Sequence, residues 1–256
     1  MCTLERISYL LSLLLLIISV KPAHAIPTPA QISIKGFYGD DTYLDEADKK
    51  VFEKNLDLVV GSHRDECSGA YNKGIYTLLK DYEVGGVNHG KDTVIVKVIG
   101  GVGNPESTVD NKVWGEVKAL KDVDLYIDSG MAKVGDGKYP VIVMKLVEGV
   151  MIKETNEYLD AKVDQRTKWL EEAKAHVKKE VVQNAVQKGV LHTDLNSYNF
   201  VVGGADTSDG PTLTTPITEA RLVDWGYPGV FKVKNGVTET EVKKWFELQW
   251  KKKIKA

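Results

Sequence analysis

The residues best suited to chemistry lie in one short polar segment of the sequence. The segment V-L-H-T-D-L-N-S-Y-N-F-V-V contains His192, Asp194 and, five residues after the aspartate, Asn199. A carboxylate can orient a hydroxyl or accept its proton, and an amide oxygen can bind a divalent cation. A loop whose polar side chains only bind one another is the alternative interpretation, and the segment alone leaves both open.

A lysine and a glutamate farther upstream suggest a buried ion pair. Thr93 to Ile99 is β-branched almost throughout, which predicts a buried strand, yet it contains Lys97. An unpaired ammonium in such a strand is costly, so Lys97 needs an anionic partner. Glu116 follows 19 residues later on a predicted helix. Taken singly, a lysine at a sheet edge and a solvated glutamate are the alternatives.

In this order, the polar residues resemble the motifs of the protein-kinase-like superfamily. The polar segment is similar to the catalytic loop H-x-D-L-x-x-x-N, and T-V-I-V-K resembles the V-A-I-K strand. Leu222 to Gly226 (L-V-D-W-G) resembles the D-F-G element, with Trp225 in the position of the phenylalanine. The resemblance covers about residues 58 to 226.

The resemblance implies a set of roles around ATP and Mg2+. Lys97, held by Glu116, neutralises the nucleotide phosphates. Asn199 and Asp224 bind Mg2+ as well as the nucleotide, and Asp194 orients the attacking hydroxyl. Asp194, Lys97 and Glu116 are therefore the expected catalytic residues.

Weaker matches extend the resemblance to the rest of the nucleotide. The segment S-G-A-Y-N-K-G-I-Y carries Gly69 and Gly74 at two glycine positions of G-x-G-x-x-G, while Tyr71 replaces the middle glycine. A plain hairpin turn is the alternative there. The segment V-M-K-L-V-E-G resembles the hinge whose backbone groups bind adenine, which implies contacts at Lys145 and Val147.

Some departures from the family pattern bear on mechanism. Thr193 replaces the arginine that precedes the catalytic aspartate, and Asn196 stands where protein Ser/Thr kinases carry lysine. Thirty residues follow Gly226, with no A-P-E element. The resemblance therefore implies a minimal kinase without switching by activation-loop phosphorylation. His192 is expected to brace the loop rather than to transfer protons.

The first functional hypothesis is an ATP- and Mg2+-dependent kinase that phosphorylates a Ser, Thr or Tyr hydroxyl of a protein, with serine or threonine as the first choice. Asn196 favours an alternative, a small-molecule kinase of the aminoglycoside or choline type. A pseudokinase that binds a partner without catalysis is a third hypothesis, and retention of all the polar positions weighs against it. A secreted α+β domain with accidental motifs is the fourth.

Composition excludes some other classes of protein. The chain has 256 residues, 43% of them hydrophobic and 27% charged, with a formal charge of -2. These values are typical of a globular protein and argue against a nucleic-acid binder, which would need a strongly positive face. We expect a monomer.

The first 25 residues predict a cleaved signal peptide. Arg6 precedes an apolar run of twelve residues, and a small-residue A-H-A triplet ends at Ala25. Cys2 leaves with this segment, so Cys67 can form no intrachain disulfide. No N-x-[ST] sequon and no later run near 18 apolar residues occurs. We predict a secreted, effector-type protein that has no membrane association after cleavage of the signal peptide. It would act on a protein partner in a host cytosol. A lumenal secretory-pathway kinase is the alternative.

The elements that must position these residues form an α+β pattern. We predict a two-lobed kinase-like fold, with an antiparallel sheet and one helix in the first lobe and a reduced helical second lobe. The predicted divisions are residues 26–55 for an extension, 56–148 for the first lobe and 149–256 for the second.

Periodicity and capping residues predict the individual elements. The predicted strands are 56–61, 74–80, 93–99, 125–132, 141–147, 200–202 and 220–223. The predicted helices are a short one within 45–58, then 107–122, 165–188 and 238–253. Gly189 should end the third helix, and Thr238 with Glu241 should form a capping box on the fourth. A Gly/Ser/Thr/Pro-rich stretch, 203–218, predicts a mobile loop.

Overall fold

The computed structural model describes part of the chain. Its residues are 40–41, 50–64, 72–100, 111–207, 210–226, 229–233 and 236–255. The predicted signal peptide, Gly69, Tyr71 and Cys67 lie outside the described residues. The class is α+β, as predicted. No helix among the described residues is both long enough and apolar enough to cross a membrane.

The first half of the chain is built on strands. In chain order they are β1 (Asp40–Asp41), β2 (Val60–Arg64), β3 (Asn72–Leu78), β4 (Tyr82–Val84), β5 (Val87–His89), β6 (Val94–Ile99), β7 (Tyr126–Val134) and β8 (Gly137–Lys145). Five of them form an antiparallel sheet in the order β2-β3-β6-β8-β7, and β4 pairs with β5 in a separate hairpin. β6, whose residues are all apolar except Lys97, therefore lies at the centre of the sheet.

The alternation of side chains along β6 decides where its lysine points. Val94, Val96 and Val98 are buried in a small core on one face of the sheet, together with Val141 and Val143 of β8. Because successive residues of a strand point to opposite faces, Lys97 projects from the other face.

Neighbouring strands enclose Lys97 on both sides. Its register partners are Ile75 on β3 and Ile142 on β8. The interpretation of Lys97 as a lysine at a sheet edge is therefore wrong.

Four α-helices occur among the described residues, and they separate or flank the strands. They are α1 (Asn111–Asp122), α2 (Asn156–Asp160), α3 (Val163–Gln187) and α4 (Glu239–Lys253). Val117 and Leu120 of α1 are buried in the main core, as their spacing predicted. Residues 107–110, with which this helix was predicted to begin, lie outside the described residues.

The two long helices confirm the sequence prediction closely. Along α3, the apolar residues spaced four apart are all buried: Trp169, Ala173, Val177, Val181 and Ala185. Gly189 follows with a φ of +69°, the left-handed conformation expected after a helix end.

The capping box of α4 has formed as predicted. The Thr238 hydroxyl accepts from the Glu241 N–H at 3.3 Å, and the Glu241 carboxylate accepts from the Thr238 N–H at 2.9 Å. Val242, Phe246 and Trp250 are buried along one side of the helix.

Short antiparallel pairs fill the second half. The strands are β9 (Val190–His192), β10 (Phe200–Val202), β11 (Gly204–Thr207), β12 (Gly210–Leu213), β13 (Ala220–Leu222) and β14 (Val230–Lys232). β10 pairs with β13, and β14 lies between β1 and β9. These pairings bring the loop after β9 close to the residues that follow β13.

One prediction of local structure was tested only in part, and one was wrong. Of the short helix expected within 45–58, the structure describes 50–58, where it has only a 3-10 turn at Lys50–Phe52. The stretch 203–218, predicted as a mobile loop, contains the β11–β12 hairpin, in which Ala205 pairs with Thr212. Tertiary contact explains the hairpin, since the buried Leu213 donates its N–H to Glu157 of α2 at 3.0 Å.

Candidate functional site

A cavity of about 470 Å3 lies between the five-stranded sheet and the second half of the chain. This volume is typical of small-molecule sites. Ile75 and Ile95 of the sheet line it, as do Val201 and Val223 of the second half. Its walls also carry several polar residues, namely Asn72, Lys97, Glu116, Lys145, Glu154, Tyr198, Asn199 and Asp224.

Lys97 makes ion pairs with two carboxylates at one end of this cavity. Its Nζ lies 2.6 Å from Oε1 of Glu116 on α1 and 3.0 Å from Oδ1 of Asp224. The side chains of Lys97 and Glu116 are 7% and 8% exposed, whereas that of Asp224 is 55% exposed. The predicted pair of Lys97 with Glu116 is thus present, and Asp224 extends it toward the open cavity.

The charges of this group stabilise one another. Burial opposes the charge of Lys97, but attraction to Asp224 and Glu116 outweighs burial and raises its pKa. Lys97 in turn lowers the pKa of Asp224 against the effect of burial. Burial raises the pKa of Glu116, with Lys97 acting in the opposite direction. Lys97 therefore stays protonated and Asp224 ionised at neutral pH.

The backbone at Asp224 is in an uncommon conformation. Its φ is +57°, in the left-handed region that few non-glycine residues adopt, although aspartate tolerates it better than most. The neighbouring Trp225 is 1% exposed and holds the chain in the main core. Non-glycine residues in such conformations are concentrated at functional sites.

His192 contacts the turn that contains Asp224. Its Nε2 lies 3.0 Å from the Val223 carbonyl oxygen and 3.1 Å from the Asp224 carbonyl oxygen, and its ring meets the Trp225 ring edge-on at 5.0 Å. Since carbonyls only accept, Nε2 carries the proton, and burial lowers the pKa of His192 below its usual range. These contacts agree with a bracing function.

The loop after β9 carries a second polar group. Nδ2 of Asn199 donates to the backbone oxygen and to Oδ2 of Asp194, each at 2.9 Å. The Val223 N–H donates to the Asn199 carbonyl oxygen at 2.9 Å, which joins this loop to the turn at Asp224. Asp194 is not on the cavity wall, but Asn199 connects it to the cavity.

The donor set fits a magnesium ion. Both amide hydrogen bonds of Asn199 use its nitrogen, so its oxygen takes part in neither, and Asp224 has a second carboxylate oxygen besides the one that faces Lys97. Both residues line the cavity. Mg2+ prefers oxygen ligands and is commonly bound by one or two side chains together with phosphates and water. Among the described residues, no group of three or more His, Cys, Asp or Glu gathers for a metal.

The remaining predicted nucleotide contacts divide into two sets. Lys145 and Val147 line the cavity. Gly74 does not: its N–H donates to the Asn72 side chain at 3.0 Å, and its φ of +128° accompanies a bulge in β3. A side chain at Gly74 would collide with the His63 ring. Gly69 lies outside the described residues.

Sequence reasoning missed Lys253, which reaches the loop of Asp194 from the end of α4. Its Nζ donates to the Thr193 carbonyl oxygen at 2.9 Å and lies 3.5 Å from Oδ1 of Asp194. The sequence signal was a run of lysines, which indicates a helix C-terminus but does not distinguish one lysine from the next.

Comparisons with known proteins add no relative to this description. Neither a scan against models of protein families nor a search of curated proteins found a match for the chain.

Proposed function

We propose that this protein is an ATP- and Mg2+-dependent phosphotransferase that phosphorylates a hydroxyl group of a protein. One observation carries the proposal: Lys97, paired with Glu116 and Asp224, lies in the wall of a cavity that also contains Asn199. A fixed ammonium beside oxygen donors for a metal is what binding of a nucleoside triphosphate requires.

Lys97 would contact the phosphates of the nucleotide. Its ammonium is fixed by Glu116, so a phosphate oxygen would meet a positive charge that needs no rearrangement. Asp224 and Asn199 would hold Mg2+, which when bound supplies positive charge against the transferring phosphoryl group. Asp224 lines the cavity and is 55% exposed, so its carboxylate would be accessible to this ion.

The apolar part of the cavity suits the base of the nucleotide. Lys145, Leu146 and Val147 line it, but the N–H groups of Lys145 and Leu146 already donate to the carbonyl oxygens of Leu125 and Thr93. We therefore assign the adenine edge to the backbone of Val147. Ile75 and Ile95, which line the same cavity, would pack on the base.

Asp194 would orient the attacking hydroxyl of the acceptor. Asn199 holds its carboxylate beside the cavity, so that one carboxylate acts on the acceptor while another, Asp224, serves the metal. His192 keeps the turn of Asp224 in place and takes no part in proton transfer, because its protonated nitrogen is committed to two carbonyls.

The wider description of the protein belongs to the same proposal. The five-stranded sheet with α1 would be the first lobe of a minimal kinase fold, and residues from 149 onward a reduced second lobe. The signal peptide would direct the protein out of the cell that makes it, and its substrate would be a protein met after delivery, for example in a host cytosol where ATP and Mg2+ are available.

Transfer of labelled phosphate tests the proposal. The protein without residues 1–25 is incubated with γ-labelled ATP, Mg2+ and a mixture of dephosphorylated proteins, beside Asp224→Ala and Lys97→Met. Asp136→Ala, on the exposed turn between β7 and β8, and Lys133→Met, exposed on β7, are the matched controls. We expect transfer by the wild type and both controls, with a loss of at least about 100-fold in the two site variants.

The outcomes separate the alternatives. Equal transfer by the wild type and Asp224→Ala would rule out the proposed chemistry. Nucleotide binding without any turnover would indicate a pseudokinase. Label on an amino sugar or choline, but on no protein, would keep the chemistry and move the acceptor to a small molecule.

A further inference from the structure

Lys253 is a charged residue that contacts the loop of Asp194 from a distant part of the chain. Its ammonium donates to the Thr193 carbonyl oxygen at 2.9 Å and lies 3.5 Å from Oδ1 of Asp194. The side chains of Lys253 and Asp194 are 31% and 28% exposed. Because water surrounds neither group completely, salt screens this pair less than it would screen a pair on the open surface.

We infer that Lys253 is a positioning residue for Asp194, an inference that rests on the proposed function. The Asp194 carboxylate is held at both oxygens, since Asn199 donates to Oδ2 at 2.9 Å and Lys253 lies beside Oδ1. With both oxygens engaged, the carboxylate cannot turn freely away from the acceptor. Displacement of a reacting group by about 1 Å can slow a reaction about 100-fold, so this restraint bears directly on the rate.

The backbone beside Asp194 is restrained in the same way. The Thr193 N–H and hydroxyl both donate to the Gly229 carbonyl oxygen, at 2.7 and 3.2 Å, while the Thr193 carbonyl accepts from Lys253. The loop is therefore fixed on one side by the segment that follows Asp224 and on the other by the end of α4.

Packing of α4 sets the position of this ammonium. Val242, Phe246 and Trp250 bury one side of the helix, and Glu247 pairs with Lys174 and Lys178 of α3 at 2.9 Å each. These contacts fix α4 against the rest of the protein. Because Lys253 is in its last turn, they also fix the point from which its side chain extends to the Asp194 loop.

A purely structural function of Lys253 is the competing explanation. A lysine in the last turn of a helix stabilises the negative end of the helix dipole wherever its side chain points. Lys252 occupies the same turn and is exposed, but it leaves the helix about 100° away from Lys253. Lys252 is therefore a control that shares the dipole effect without the contact to Asp194.

Hydrolysis of MgATP by water tests the inference without an identified acceptor, because Asp194 would orient an attacking water as it orients a hydroxyl. We compare kcat, KM for MgATP, calorimetric affinity for MgATP and Tm in the wild type, Lys253→Met, Lys253→Arg, Lys252→Met and Asp194→Ala. We expect Lys253→Met to lose about 10-fold to about 100-fold in kcat with unchanged KM and affinity, and with a change in Tm no larger than that of Lys252→Met. Lys253→Arg should recover most of kcat, and Lys252→Met should match the wild type in kcat.

Other results would overturn the inference. An unchanged kcat in Lys253→Met, or an equal fall in Lys252→Met, contradicts positioning by Lys253 and leaves the proposed function intact. A wild type that hydrolyses no more MgATP than Asp194→Ala refutes the proposed function, and the inference with it.

Discussion

Two lysines contact carboxylates at the candidate site, and they do so in different ways. Lys97 projects from the central strand of a five-stranded sheet, is 7% exposed and lies within 3.0 Å of both Glu116 and Asp224. Lys253 extends from the end of α4, is 31% exposed and lies 3.5 Å from Asp194. One ammonium is thus part of the core, whereas the other reaches a loop from outside it.

This difference shows two ways in which a fold can place a positive charge. Paired strands on both sides fix the position of Lys97, and its ammonium neutralises the buried Glu116, so its loss should affect stability and binding together. Lys253 depends on the packing of a distant helix, so its loss should affect the geometry of Asp194 and little else. The following predictions test that contrast, from the largest effect to the smallest.

Removal of the buried ammonium should have the largest effect on stability. Lys97→Met leaves Glu116 buried without its cation, and we expect the free energy of unfolding to fall by about 3 kcal/mol. Urea unfolding measures this. The double variant Lys97→Met with Glu116→Gln should recover most of the loss, because a neutral pair of similar size removes the uncompensated charge. A double variant no more stable than Lys97→Met would contradict the burial argument.

Binding of MgATP should separate Lys253 from Asp224, the carboxylate that pairs with Lys97. At a concentration about 100 times Kd, MgATP should raise the unfolding free energy of the wild type by about 2.7 kcal/mol. Lys253→Met should keep this stabilisation. In Asp224→Asn, the stabilisation by ATP should be the same with and without Mg2+. Thermal unfolding with and without EDTA measures both. If Lys253→Met and Asp224→Asn lose equal amounts of the stabilisation by MgATP, Lys253 and Asp224 do not differ in their effect on MgATP binding.

Crowding around Asp194 should have a smaller effect. A Cβ added at Gly229 would lie 2.9 Å from the Asp194 Cβ, closer than such atoms approach. We expect Gly229→Ala to reduce the unfolding free energy by about 1–2 kcal/mol and to lower transfer more than MgATP affinity. Gly90→Ala, where the nearest atom lies at 3.8 Å, is the control. Loss of affinity and transfer in equal measure would argue against a local effect on Asp194.

The ion pairs that hold α4 on α3 should have the smallest effect. Hydrogen bonds from Lys178 and then Lys174 lower the pKa of Glu247, so the folded state releases this proton more readily than the unfolded chain does. The contribution is therefore present above the unfolded pKa of about 4.3 and lost as the pH falls below it. Because Glu247 is 44% exposed, solvent screens it.

We expect Glu247→Gln to lose about 0.5 kcal/mol at pH 7 in low salt and less at pH 3, because the contribution falls as the pH falls through the folded pKa. Unfolding titrations at the two pH values measure this difference. An equal loss at both pH values would indicate a packing effect instead.

Much of the local structure followed from the sequence because its signals are local. The four-residue spacing of Trp169 to Ala185 and the capping residues Thr238 and Glu241 act within one helix, and both helices formed as predicted. Lys97 in an apolar strand required an anion, and Glu116 supplies it. The hairpin at residues 204–213 was missed because its sequence is polar and rich in turn residues, which predicts a loop. Its strand pair depends on contact with α2, and that contact cannot be predicted from the local sequence.

The sequence by itself therefore determined which side chains could do chemistry, since residue type, capping and periodicity are properties of short segments. The tertiary structure alone decided that Asp224 approaches Lys97 from 127 residues away, that Gly74 does not line the cavity and that Lys253 reaches Asp194. The physical reason is that these placements depend on how strands pair and how α4 packs on α3, and such contacts between distant segments leave no periodic signal along the chain.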